Sequence, residues 1–125
     1  MIDIKILLTK ILTALKVDYI VEQGIDSGWK YRKWNSGKVE AWYSYVGGSA
    51  NYAVWVSPVR YRDITITIPS GIFTEKPSVV VATSDSNQLW VALCAATSET
   101  SISARFATVA SAAITTTVSM YVAQV

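Results

Sequence analysis

The sequence predicts a mainly β fold: an antiparallel β-sandwich or barrel-like head domain preceded by a short N-terminal α-helix. Three observations lead there. Apolar residues recur at helical spacing over residues 2–16, apolar and polar residues alternate strictly from Asp63 to Ile68, and from residue 28 onward short apolar runs are separated by turn-forming residues.

Ile4, Leu7, Leu8, Ile11, Leu12 and Leu15 fall on one side of the helix, with Lys5, Thr9, Lys10, Thr13 and Lys16 largely between them. Two heptad seams fit, one through Ile4, Leu7, Ile11 and Ala14, the other through Ile4, Leu8, Ile11 and Leu15. In the second, Leu occupies a and Ile occupies d, a choice that favours three or four strands over two. A helix this short is marginal alone in water and needs a surface to pack on. Ile4, Leu7, Leu8, Ile11 and Leu15 are therefore the candidate oligomerisation residues; the other surface open to them is the chain's own β-domain. The expected organisation is a trimerising coiled-coil helix over residues 1–17, a linker over 18–27 and a β-sandwich head over 28–125.

Within the head, Ile64, Ile66 and Ile68 face a core while Asp63, Thr65 and Thr67 face solvent. The other expected strands are 29–34, 38–46, 52–56, 78–82, 89–96, 101–108 and 115–123. Eight short strands make an antiparallel sandwich. In the strand over 29–34 one face carries Trp29 and Tyr31 and the other Lys30, Arg32 and Trp34; at least one of these sets belongs to the core. Asn35, Ser36 and Gly37 fit a tight hairpin, and Pro69 to Pro77 a longer loop.

Only 16% of the 125 residues are charged, against roughly 25% in an average soluble domain. From Pro77 onward the only charged residues are Asp85, Glu99 and Arg105, so that half is expected to bury more than one face. A net charge of +2 leaves no footprint for nucleic acid. No apolar run approaches the ~20 residues of a membrane span, and Lys10 and Lys16 interrupt the apolar start. The chain has no histidine and one cysteine, Cys94, which sits in an apolar run and reads as a small buried hydrophobe. Serine–histidine, cysteine–histidine and the corresponding zinc sites are thereby excluded. Neither a glycine-rich phosphate loop nor a calcium-loop spacing of acids occurs, so no cofactor, no metal and no enzymatic activity are expected. Glu40 is the acid best placed among aromatics for glycoside chemistry, but beside Lys38 and Arg32 it reads as ion-paired or solvated.

The run WKYRKWNSGKVEAW from Trp29 to Trp42, preceded by DYIVEQG from Asp18 to Gly24, follows a phrase of the type W-x-Y-R-K-W-x-S-G-x-x-E-x-W. In a second run, ITIPSGIFTEKPSVVV from Ile66 to Val81, a strand ends in a proline turn and the next begins x-P-x-V. Together these span about half the chain and resemble the head, or receptor-binding tip, of phage and prophage tail-fibre or minor structural proteins. The resemblance implies a homotrimer at the end of a fibre, a host cell-surface receptor with glycan foremost, other virion tail proteins as neighbours, and a place in the virion after synthesis in the bacterial cytoplasm. Two other functions stay open: a structural trimerisation or decoration module without a ligand, and a polysaccharide depolymerase, for which a chain this short leaves little space for a cleft.

Nine of the fourteen aromatic residues lie between Trp29 and Tyr61. Flat aromatic faces stack on sugars and also fill cores. With the helix at the base and each strand reversing direction, the hairpin at 35–37 is expected at the far tip, together with 57–62, 85–88 and 110–114. Segments 47–51, 70–76 and 98–100 then face the fibre. In the distal set Arg60, Asp85, Asn87 and Gln88 offer hydrogen bonds, and Tyr61 with the adjacent Trp90 offers stacking faces. These six are the candidate receptor or carbohydrate-binding residues.

Overall fold

The computed structural model describes residues 3–15, 17–50, 52, 54–56, 58–83, 89–109 and 114–125. Helix α1 spans Ile4–Ala14. Asp3 starts it, accepting the backbone N–H of Lys5 at 2.9 Å and of Ile6 at 3.4 Å. None of its side chains is buried, and Ile4, Leu7, Leu8, Ile11 and Leu15 are between 43% and 78% exposed.

Among the described residues nine strands follow: β1 (Ile20–Asp26), β2 (Trp29–Trp34), β3 (Val39–Ala50), β4 (Val54–Val56), β5 (Val59–Thr67), β6 (Ser78–Thr83), β7 (Leu89–Ser98), β8 (Ser101–Thr108) and β9 (Ile114–Gln124). They form a five-stranded sheet, β1-β2-β3-β9-β6, and a four-stranded sheet, β4-β5-β8-β7, with every neighbouring pair antiparallel. Alternation sorts each strand between core and surface. Ile66, Ile102, Ala104 and Phe106 come inward from the smaller sheet, and Trp29, Ala41, Val118, Met120 and Val122 from the larger. Trp29 is fixed twice, by stacking on Tyr43 at 4.6 Å and by donating its indole N–H to the Thr67 carbonyl at 3.1 Å. Along one side β6 lies against β7, and the Thr83 hydroxyl donates to the Leu89 carbonyl. The expected mainly β, sandwich-like fold with one short helix is the fold observed. Cys94 is half-buried within it, and burial pushes its thiol pKa up.

All eight expected strands form, and one more joins them. Segment 18–27, read as a linker, contains β1, paired to β2 from Ile20 to Asp26. As an edge strand it buries neither face, so its sequence has no reason to alternate. Gly24 lies under the Tyr31 phenol, where a Cβ would meet the hydroxyl oxygen at 3.1 Å. Ser27 and Gly28, both with positive φ, close the β1–β2 hairpin in the two-residue form whose twist suits antiparallel strands.

The extra strand reverses the expected direction of β2 and β3. Since β1 runs away from the helix, β2 returns toward it, and the hairpin at 35–37 lies beside the helix instead of at the far tip. There the Asn35 N–H donates to the Tyr19 carbonyl at 2.9 Å, and the Asp18 carboxylate accepts the Ser36 hydroxyl at 2.8 Å. Residues 47–50 likewise belong to β3 and run to the far end, contrary to the expected fibre-facing turn. The long loop before β6 stays on the helix side, where Gln124 accepts the Thr74 N–H at 2.9 Å.

Candidate functional site

On the outer face of the four-stranded sheet, side chains stand in three rungs. Tyr61 of β5, Ala107 of β8 and Trp90 of β7 are register partners; so are Asp63, Arg105 and Leu93, and then Thr65, Ser103 and Ala95. The phase follows from the core: Ile64 and Ile66 point inward, so Tyr61, Asp63 and Thr65 point out. A bulge between Val91 and Leu93 keeps β7 in step, placing Leu93 instead of Ala92 beside Arg105.

Tyr61 and Trp90 therefore flank Ala107 at two strand spacings, roughly 9–10 Å. Ala107 is only 2% exposed although it points outward, while Trp90 remains 39% exposed. Below the first rung the Arg105 guanidinium grips Asp63 with two hydrogen bonds of 2.7 and 3.0 Å and stacks 4.1 Å from the Tyr61 ring centroid. Arg105 holds the Asp63 carboxyl below its usual pKa, and Asp63 raises that of Arg105. Beside this pair lies a shallow depression of about 240 Å³ lined by Asp63, Thr65, Leu93, Ser103 and Arg105. The face joins two aromatic side chains to fixed charges and hydroxyls, the chemistry that matches one apolar face and the hydroxyl rim of a sugar.

Of the six candidate binding residues, Tyr61 and Trp90 meet on this face. Arg60 does not: it lies inside β5, which begins earlier than expected, and shares the inward phase of Ile64 and Ile66. Asp85, Asn87 and Gln88 lie outside the described residues. Asp63, Leu93 and Arg105 are additions, since cross-strand register between β5, β7 and β8 brings them together and no local pattern encodes it.

The outer face of the larger sheet holds a different cluster. The Glu40 carboxylate, 13% exposed, accepts Lys38 Nζ at 2.9 Å, the Tyr121 hydroxyl at 2.8 Å and the Trp34 indole N–H at 3.1 Å. Lys38 does most to hold its pKa down, with Tyr121 and Trp34 adding to the effect against burial, and Glu40 in turn raises the Tyr121 pKa. Arg32 stacks over Trp42, 5.5 Å from its centroid, and Trp42 meets Tyr121. A carboxylate held ionised by three donors has no proton to give a glycosidic oxygen. Among the described residues no group of three or more His, Cys, Asp or Glu could hold a metal ion, and no helix is long and apolar enough to cross a membrane.

A third feature joins helix to head. Lys5, Leu8, Thr9 and Leu12 of α1 form one wall of a groove of about 380 Å³, and Tyr19, Ile20 and Val21 form the other.

Among solved structures, the chain is similar to an N-truncated R1-type pyocin tail fibre, with a TM-score of 0.64 at 12% sequence identity over 94% of this chain and 95% of that one. The chain has the fold of that tail fibre. No protein-family model and no curated protein matches it.

Proposed function

We propose that this chain is the receptor-binding head of a tail fibre of a phage or phage-like particle, that three copies assemble through α1, and that each binds a host cell-surface glycan without turning it over. The observation that carries the binding reading is the Tyr61–Ala107–Trp90 rung above the Asp63–Arg105 pair on an outward sheet face. The shared fold with a pyocin tail fibre supports the fibre context. The exposed apolar stripe of α1 supports the oligomer: burying each Leu or Ile contributes roughly 1.5–3 kcal/mol, and five such residues per chain meet an association cost of roughly 4–15 kcal/mol. Other virion tail proteins would be its neighbours, and the virion its location.

Adsorption tests the reading. Tyr61→Ala with Trp90→Ala should abolish binding to host cells and to arrayed surface glycans, while the far-ultraviolet spectrum and the mass in solution stay as in the unmodified chain. Undiminished adsorption would move the receptor site elsewhere or favour the second reading, a structural module with no ligand. One observation favours that alternative: Asp63 and Arg105 already satisfy each other.

A further inference from the structure

We infer that the groove between α1 and β1 is the seat of a neighbouring copy's helix, with the Ile4, Leu7 and Ile11 stripe of one chain packed against Leu8, Leu12 and Val21 of the next. This rests on the proposed homotrimer and says how its copies meet.

The apolar face of the helix is wide, running without a break from Leu7 and Ile11 through Ile4, Leu15 and Leu8 to Leu12 over roughly 140°. Leu8 and Leu12 share the groove wall with Lys5 and Thr9, whereas Ile4, Leu7 and Ile11 stand roughly 80° away at 3.6 residues per turn. Both edges of this face are largely open: Leu8 is as exposed as the outer residues, Leu12 is half-buried, and Val21 across the groove is 57% exposed. The groove is roomy enough for side chains and walled mainly by aliphatic groups, yet the chain's own outer stripe points away from it. A helix face with one edge for each of two neighbours has two unlike contact surfaces, and unlike surfaces repeated through a rotation that closes make a ring. A second copy therefore fits both needs at once, covering one chain's stripe and filling the other's groove. The seam also continues into the head, because β1 is an edge strand with one row of backbone groups unpaired within its own sheet.

Cysteine pairing reads this directly. In a Cys94→Ala chain carrying Leu7→Cys and Val21→Cys, oxidation should give covalent trimers on a non-reducing gel, since each copy links to the next. The single variants should give none, because one cysteine per chain joins at most two copies. Light scattering of the reduced double variant and of the unmodified chain accompanies the gel. A trimeric mass without covalent trimers, or disulfides formed only within one chain, overturns the groove assignment and leaves the trimer standing. A monomeric mass for the unmodified chain overturns the trimer and this inference with it. As a check independent of cysteine, Val21→Lys places a charge in the groove and should raise the trimer dissociation constant at least tenfold; an unchanged constant also overturns the assignment.

Discussion

Glu40 and Gly28 show how much one position decides. Because Glu40 is held ionised, chiefly by Lys38, its folded pKa lies below its unfolded value. The stability it contributes is therefore present above the unfolded pKa and is lost as pH falls through the folded one. Glu40→Gln should lower the denaturation midpoint at pH 7, and the gap from the unmodified chain should shrink as pH drops below the carboxylate range; a gap independent of pH would show that the charge is immaterial. Gly28 adopts φ +85 and a Cβ there would meet Tyr43 at 3.3 Å. Gly28→Ala should destabilise by roughly 1–2 kcal/mol, and Gly28→Asn by less, because asparagine tolerates positive φ. Equal losses in urea melts would mean that the Tyr43 contact, not the backbone, is decisive. The sequence shows Lys38 as a partner of Glu40 through their spacing on one face. It does not show Tyr121, which comes from β9 across a register set by the whole sheet.

Strands were legible where one face is buried. The isoleucines of β5 alternate with polar residues because Ile64 and Ile66 face the core, and β2 and β8 begin and end at the expected residues. By contrast, β1 has no buried face to pattern it, so neither the strand nor its pairing to β2 shows in the sequence, and 18–27 reads as a linker. One missed edge strand turns β2 and β3 around, so the hairpin at 35–37 and residues 47–50 fall at the ends opposite to those expected, while β3 and β4 run the same way and restore the count from β4 onward. Tyr61 and Trp90 therefore keep the expected far end, because β5 and β7 run in the expected directions. Packing also predicts where the sandwich is least tolerant. Ile102 is fully buried between the sheets, so Ile102→Ala should cost about 2–5 kcal/mol in chemical denaturation, whereas Thr65→Ala on the outer face should change stability by less than about 0.5 kcal/mol. Similar losses at both sites would contradict the assignment of inner and outer faces.

At the scale of the whole molecule, helix and head are separable in energy, since α1 contributes no buried residue to the domain. Leu8→Asp with Ile11→Asp should therefore leave the head folded, with an unchanged near-ultraviolet spectrum, while placing unpaired charge in the proposed contacts between helices. That costs several kcal/mol per buried group and should reduce the mass in solution to that of one chain. The consequence for binding follows from valency. Under the proposed glycan binding, a single open and shallow Tyr61–Trp90 face would hold a sugar weakly, and stable attachment to a cell would require several faces engaged together, which can multiply avidity by roughly 10²–10⁴. The double variant should then bind a soluble oligosaccharide, titrated against Trp90 fluorescence, with the same dissociation constant per site as the unmodified chain, yet fail to remain on whole cells through washing. If the monomeric variant holds to cells as well as the unmodified chain, one head suffices and multivalency has no part in attachment. If it loses the soluble sugar too, the binding face is built between copies, and the rung across β5, β8 and β7 is not a complete site on its own.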